Sequence, residues 1–208
     1  MKNTNEEILY TYKNKVYLNI TNKCPCACTF CIRSKKDAIG EASNLWLNHN
    51  PSFEEVKEAI DAFDFNGYNE IIFCGYGEPT NSFDVLVKTA QYICSKLDLK
   101  IRVNTNGLGN LINGKDITEE LCKNVDAVSI SLNCSNKEDY LKTVRPKFGI
   151  ESFDAMLSFA KKCRALTENT VLSVVDVIGE EEIEKCKKIA EDLNISLRVR
   201  KYDNSSDN

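Results

Sequence analysis

The sequence contains little histidine, tryptophan, proline or glycine, and it has no long apolar run. Its 208 residues include one His, one Trp, four Pro and nine Gly. The apolar runs fall far short of the roughly 20 residues that a membrane-spanning helix needs. The first residues, MKNTNEEILYTYKNK, lack the apolar segment of a secretory signal. We therefore expect a cytoplasmic protein with no membrane span.

An excess of positive charge is also missing. The formal net charge is -4 and the pI is about 5.3, with acidic and basic residues interleaved along the chain. No basic face is expected, which argues against nucleic acid or an anionic membrane as a partner. With 42% hydrophobic residues, the chain suits one compact domain, predicted over 1–202. The polar end DNSSDN, 203–208, is predicted to be disordered.

Cysteine, in contrast, is abundant, with ten residues. A disulfide framework is typical of shorter secreted chains, and nothing in this sequence directs it to an oxidising compartment. We therefore expect reduced thiols, some of them bound to metal.

Short β-branched runs alternate with helical patterns. The predicted strands are VYLNI (16–20), EIIFC (70–74), KIRVN (100–104), AVSIS (127–131), TVLSVVDV (170–177) and SLRVR (196–200). The predicted helices are 52–63, with a Ser52–Glu55 capping box, then 82–97, 151–166 and 180–193, and weaker patterns at 118–123 and 136–143. The alternation predicts an α/β fold with helices outside a parallel sheet. We expect an open, partial (β/α)6 TIM-type barrel, with a doubly wound sheet as the competing topology.

Four cysteines lie within eight positions soon after the first predicted strand, in LNITNKCPCACTFCIR (18–33). The spacing Cys24-x3-Cys28-x2-Cys31 places three thiolates on one loop, where they could hold three irons of a [4Fe–4S] cubane. Three ligands leave the fourth iron open to another molecule. Structural zinc is the alternative, but the only histidine, His49, lies 18 residues beyond Cys31, and no second close cysteine pair follows.

The cysteine motif, with the aromatic Phe30 before its last cysteine, resembles that of radical S-adenosylmethionine (SAM) enzymes. The segment CGYGEPT (74–80) resembles the family's Gly-Gly-Glu-Pro element with Tyr76 inserted. Further matching segments follow in the family's order, namely VNTNG (103–107), SISLN (129–133), an Arg-Pro pair at 145–146 and VDVIGEEEIE (175–184). More narrowly, the short chain, YLNITNKCPCACTFCIR and GYGEPT resemble the small TatD-associated radical SAM proteins.

The resemblance implies an enzyme that holds a [4Fe–4S] cluster through Cys24, Cys28 and Cys31 and binds SAM at the open iron. One-electron cleavage of SAM would give a 5′-deoxyadenosyl radical that abstracts hydrogen from a substrate. By the same resemblance, Glu78 would hold the methionine ammonium and Arg145 the carboxylate. The glycines of GYGEP would approach the ligand closely and adopt φ values closed to other residues. The predicted SAM contacts are Phe30, Gly75, Tyr76, Gly77, Glu78, Pro79, Asn104, Asn106, Ser131, Asn133, Arg145 and Ile178.

Several assignments have alternatives. Cys26 is predicted to be a bystander, and Cys134 either faces the cavity or fills space in the core. An activating enzyme that acts on a partner protein competes with an enzyme that acts on a small molecule. A non-catalytic iron–sulfur electron carrier or a zinc-binding module would be a protein of a different class. The resemblance also implies an electron donor such as flavodoxin or ferredoxin and a functional link to a TatD-like hydrolase.

Overall fold

The computed structural model describes residues 5–202, and the tail predicted at 203–208 lies outside them. Within these residues the strands are β1 (Leu9–Tyr12), β2 (Lys15–Leu18), β3 (Glu70–Phe73), β4 (Lys100–Thr105), β5 (Ala127–Ser131), β6 (Thr170–Val175) and β7 (Ser196–Arg200). The α-helices are α1 (Asn5–Ile8), α2 (Phe53–Asp61), α3 (Phe83–Lys96), α4 (Gly109–Asn113), α5 (Thr118–Asn124), α6 (Lys137–Val144), α7 (Ser152–Leu166) and α8 (Glu180–Asp192). Short 3-10 turns span Ile32–Ser34, Pro79–Ser82 and Asp176–Ile178.

The strands form one sheet in chain order. β1 pairs with β2 in the antiparallel sense, and each following pair from β2 to β7 is parallel. Because the order never reverses at a central strand, the doubly wound alternative is wrong. β1 and β7 form the two edges of the sheet. The predicted open, partial barrel of six parallel strands is therefore confirmed for the described residues.

The antiparallel edge strand β1 is the main element that the sequence patterns do not predict. A two-residue turn joins β1 to β2, and both of its residues, Lys13 and Asn14, have positive φ values of 48° and 56°. Tight hairpin turns of this conformation usually carry Asn-Gly, Asp-Gly or Gly-Gly. The Lys-Asn pair lacks that signature, so the hairpin has no local signal of the usual kind.

Alternate residues of the parallel strands point to opposite faces of the sheet. The outer face packs against the helices, and Leu18, Phe73 and Val103 on this face have no solvent exposure. The inner face carries polar side chains, and the register places Asn104 beside Ser129 there. The C-terminal end of the sheet therefore presents polar groups to the open interior of the barrel.

The predicted helices are confirmed with small shifts at their ends. The capping box begins α2, because Ser52 Oγ accepts from Glu55 N–H and the Glu55 carboxylate accepts from Ser52 N–H. The short helix α4 is not predicted, since a five-residue segment shows little periodicity. No helix of residues 5–202 is long and apolar enough to cross a membrane.

Candidate functional site

The cysteine loop, residues 21–34, leaves the C-terminal side of β2 and lies against the end of α6. Cys26 forms an isolated antiparallel bridge with Pro146, which follows α6. Backbone hydrogen bonds extend this pairing, from Ala27 N to Val144 O (3.1 Å), Thr29 N to Thr143 O (2.9 Å) and Lys147 N to Pro25 O (2.8 Å). The end of α6 thereby fixes the cysteines at the edge of the sheet where barrel enzymes carry their functional groups.

The three predicted ligands differ from Cys26 in burial. Cys24, Cys28 and Cys31 are half-buried, whereas Cys26 is buried, with 5% exposure. Burial raises the pKa of the Cys28 thiol to about 12, and the neighbouring Cys31 and Cys24 add to the rise. A metal binds cysteine as the thiolate and displaces this proton. The half-buried set therefore offers three thiols to a metal group that arrives from solvent.

Cys26 connects the cysteine loop to the segment that follows β4. Its thiol faces the Cys24 thiol, and this interaction lowers the pKa of Cys24 and raises that of Cys26. On its other side, Asn106 Nδ2 lies 3.6 Å from Cys26 Sγ. The sequence predicts Cys26 to be a bystander and does not predict this contact, because the two residues are 80 positions apart in the chain.

Arg33 joins the cysteine loop to the loop after β3, and the sequence reasoning does not single it out. Its guanidinium donates to three backbone carbonyls, at 3.3 Å to Asn22 O, 3.2 Å to Tyr76 O and 3.1 Å to Cys26 O. The same charge opposes the rise in pKa of Cys28. A cation two residues after the last cysteine is the signal that could have identified it. Arg33 therefore holds two loops together and stabilises thiolate charge.

The glycine loop, residues 74–80, packs directly on the chain that leaves β2. A Cβ atom on Gly75 would lie 2.0 Å from Asn19 Oδ1, and one on Gly77 would lie 2.0 Å from Thr21 O. Neither glycine has a positive φ, so the expected unusual backbone conformation is wrong for both. The structure explains these glycines by close approach to the neighbouring segment.

Replacing Gly77 with alanine is expected to lower the free energy of unfolding by about 1–3 kcal/mol, because the new methyl group overlaps a backbone carbonyl. Gly109→Ala is the matched control, since its Cβ would meet Ile117 Cδ1 at 2.7 Å, at the mobile end of a side chain. Urea unfolding of both variants checks this, and equal losses would contradict the close-approach explanation.

Tyr76, the residue inserted between the glycines, anchors a second segment on the site. Its side chain is buried, its ring lies 5.2 Å from that of Trp46 in an edge-to-face contact, and its hydroxyl donates to Lys36 O. Its backbone N–H donates to Asn19 Oδ1 at 3.3 Å. Pro79 begins the 3-10 turn that continues the loop. The ring of Tyr76 therefore packs against the chain beyond the cysteines.

Glu78 is a buried carboxylate, with 4% exposure, that links the glycine loop to the end of β4. Its Oε1 accepts from Thr80 N (3.1 Å), Thr80 Oγ1 (2.8 Å) and Thr105 Oγ1 (2.7 Å), and its Oε2 accepts from Asn106 N (2.7 Å). Burial raises its pKa, while these donors oppose the rise. No Lys or Arg among the described residues forms a salt bridge with it. Glu78 thus has hydrogen bonds but no countercharge.

Polar side chains at the ends of β4 and β5 include buried atoms without partners. Asn104 Oδ1 and Asn133 Oδ1 are buried and accept no hydrogen bond from the described residues. Asn133 has a left-handed backbone with a φ of 59°, and Ser131, two residues earlier, is half-buried. A buried acceptor without a donor is costly. These two oxygens therefore suit a bound molecule that carries hydroxyl or ammonium groups.

Three other predicted contacts lie around the rim. Arg145 ends α6 with a φ of 51°, is exposed, and donates from Nε to Lys142 O at 3.2 Å. Ile178 is half-buried in the 3-10 turn after β6 and packs on the core. Phe30 is half-buried within the cysteine loop. Arg145 and Glu78 form no ion pair with each other among the described residues, so neither predicted SAM-binding charge neutralises the other.

Two core residues complete the surroundings of the cysteines. Tyr140, on α6, is 1% exposed, and its hydroxyl has no partner among the described residues. Burial raises its pKa well above the usual range, and Cys26 and Cys28 act in the same direction. Cys134 is 2% exposed and belongs to the hydrophobic core, which supports its predicted space-filling role. A lone tyrosine in a helix carries no sequence signal for such a position.

The donor set fits an iron–sulfur cluster and SAM. Within residues 5–202, no three His, Cys, Asp or Glu side chains are grouped as a single metal ion would require. A cubane takes one thiolate at each iron, so its ligands stand farther apart than those of one ion. Half-buried thiols supply such ligands, and the unpartnered oxygens of Asn104 and Asn133 suit the hydroxyl and ammonium groups of SAM.

Comparison with known proteins places this arrangement in a family. Residues 18–193 match the family model described as the Radical SAM superfamily. No curated protein matches the sequence.

Solved structures share the fold at low sequence identity. A radical SAM methyltransferase from Sphaerobacter thermophilus is 14% identical with a TM-score of 0.56, over 93% of this chain and 68% of its own. The structure of anSMEcpe with bound AdoMet is 18% identical with a TM-score of 0.62, over 89% of this chain and 50% of its own. Methylornithine synthase is 15% identical with a TM-score of 0.63, over 96% of this chain and 56% of its own. This chain therefore spans about half the length of the latter two proteins.

Proposed function

The chain belongs to the radical SAM superfamily, and from this membership we propose that Cys24, Cys28 and Cys31 bind a [4Fe–4S] cluster at which SAM is cleaved. Members of the superfamily are enzymes that use this cluster together with SAM. When bound, the reduced cluster supplies one electron that breaks a carbon–sulfur bond of SAM, which yields methionine and a 5′-deoxyadenosyl radical. The radical would abstract hydrogen from the substrate.

The observation that carries this proposal is the position of Glu78 beside the cysteine loop. Glu78 N–H donates to Lys23 O at 2.8 Å, directly before Cys24. The buried carboxylate has no countercharge among the described residues, and it disfavours the Cys24 thiolate. A bound cation would relieve both costs. The methionine ammonium of SAM supplies such a cation, and Oε2, which accepts one hydrogen bond, is the oxygen we assign to it.

Other residues of the site would hold the rest of SAM. The unpartnered Asn104 and Asn133 oxygens would accept from ribose or ammonium groups, with Ser131 beside them. Ile178 would pack on the adenine, and the exposed Arg145 would turn its Nη atoms to the methionine carboxylate. Arg33 would keep the cysteine and glycine loops in register while the ligand binds.

We further propose that the protein belongs to the small TatD-associated group and functions in the cytoplasm. The motifs YLNITNKCPCACTFCIR and GYGEPT support the group. A flavodoxin or ferredoxin would supply the electron, and a TatD-like hydrolase would be a functional partner. Activation of a partner protein is the second candidate, because the exposed edge strand β7 leaves one side of the barrel open. Transfer of deuterium from a labelled partner protein into 5′-deoxyadenosine would distinguish it from a small-molecule reaction.

Anaerobic protein that holds its cluster is expected to release 5′-deoxyadenosine and methionine when it is incubated with SAM and dithionite. Liquid chromatography with mass spectrometry measures both products. The Cys28→Ala variant, which lacks one proposed ligand, should release neither. A wild type that carries full iron and binds no SAM would contradict the proposal and favour an electron carrier, whereas bound zinc in place of iron would favour a structural module.

A further inference from the structure

Two arginines lie on the inner face of the edge strand β7. Arg198 pairs in register with Ser173 and Arg200 with Val175, two inner-face positions of β6. Residues two apart in a strand share a face, so both guanidiniums point to the same side. Both residues are exposed to solvent. They therefore line the open interior of the barrel and remain accessible to a ligand.

Arg200 interacts with groups from strands toward the opposite edge of the sheet. Cys74, Arg198, Tyr17 and Arg102 all act electrostatically on the Arg200 guanidinium. Tyr17, Cys74 and Arg102 belong to β2, the end of β3 and β4. Arg200 thus acts on groups from three other strands of the sheet.

The arginine pair Arg198 and Arg200 lacks a countercharge among the described residues. No salt bridge to Arg198 or Arg200 forms within residues 5–202. Glu70, the first residue of β3, pairs with Lys15 at 2.7 Å and with Arg102 at 2.8 Å, both through Oε2. Arg102 is also 8% exposed with an unpartnered buried Nε. Like charges held together without an anion disfavour one another, and a bound anion would remove that cost.

We propose that Arg198 and Arg200 bind an anionic group of the substrate, a carboxylate or a phosphate, inside the barrel. The inference rests on the proposed function, since it assigns the substrate class of that site. A guanidinium presents planar paired donors that match both anions. Glu78 and the unpartnered asparagine oxygens favour cationic and hydroxyl groups, whereas the arginines of β7 favour anions. The two ends of the interior would therefore bind groups of opposite charge. A substrate held by its anionic end at β7 would extend from there toward the cysteine loop.

Calorimetric titration tests this with the full chain, cluster-loaded and saturated with SAM but not reduced, at constant ionic strength. The probes are malonate and inorganic phosphate in separate experiments. We expect binding of at least one probe, at least tenfold weaker binding in Arg200→Ala, and an intermediate loss in Arg200→Lys, which keeps the charge but not the fork. Tighter binding of malonate assigns a carboxylate substrate, and tighter binding of phosphate assigns a phosphorylated one.

Arg164→Ala is the control, because Arg164 is a half-buried arginine on α7 that donates to Asn194 O, outside the inner face. The affinity of the Arg164→Ala variant for both probes should equal that of the wild type. An equal loss in this variant, or no binding of either probe to the wild type, would overturn the inference. A tenfold loss of SAM affinity in Arg200→Ala would also overturn it, since Arg200 would then serve SAM. Release of 5′-deoxyadenosine is measured separately, so failure of the proposed function is recognised independently.

Discussion

Alanine at Cys24, Cys28 or Cys31 is expected to remove most of the iron from anaerobically reconstituted protein. The wild type should hold about four irons per chain, as one cubane requires. Each of these half-buried thiols would bind a different iron, so each loss opens a second iron to solvent and leaves the cluster with two protein ligands. Iron and sulfide analysis, together with the brown absorbance of the cluster, measures the effect.

Cys26→Ala is the matched control for this ligand set. Cys26 is buried, and its sulfur already contacts Asn106 Nδ2 at 3.6 Å. Its removal should leave iron content close to that of the wild type, because Cys26 is not a proposed ligand, although loss of the buried sulfur should lower the stability. Loss of iron in Cys26→Ala equal to that in Cys24→Ala would refute the assignment of Cys24, Cys28 and Cys31.

The sheet could be predicted because its central parallel strands are buried and apolar on the helix side. Runs such as EIIF in β3 and AVSIS in β5 carry that signal within four or five residues. Strand β1 could not be predicted, since its hairpin turn uses Lys13 and Asn14 in place of glycine. The order of the strands followed from alternation with helices, which restricts a parallel sheet to few topologies.

The site was only partly predictable, for a physical reason. Motif residues such as Glu78 are visible in the sequence, but their hydrogen-bond partners come from distant segments. Thr105 and Asn106 reach Glu78 only after β3 and β4 pair. Arg33 acts through carbonyl groups, which every residue has, so its place after the last cysteine could mark it but its partners could not be predicted. Tyr140 depends on the docking of α6 against the cysteine loop.

Glu78→Gln is expected to weaken SAM binding by about ten- to a hundredfold. The substitution keeps the size of the side chain but removes its charge, and a hydrogen bond to a charged group contributes roughly 1.5–3 kcal/mol. Iron content should not change, because no proposed ligand is touched. Calorimetric titration of SAM into the cluster-loaded protein measures the affinity.

A second variant separates the charge of Glu78 from its structural role. Thr105→Val removes the 2.7 Å hydrogen bond to Oε1 and keeps the carboxylate. Both variants should lower the melting temperature, since each disturbs the buried link between the glycine loop and β4. Only Glu78→Gln should lose most of the SAM affinity if the carboxylate pairs with the methionine ammonium. Equal losses of affinity in both variants would mean that Glu78 acts by positioning the loop, and its assignment to the ammonium would be wrong.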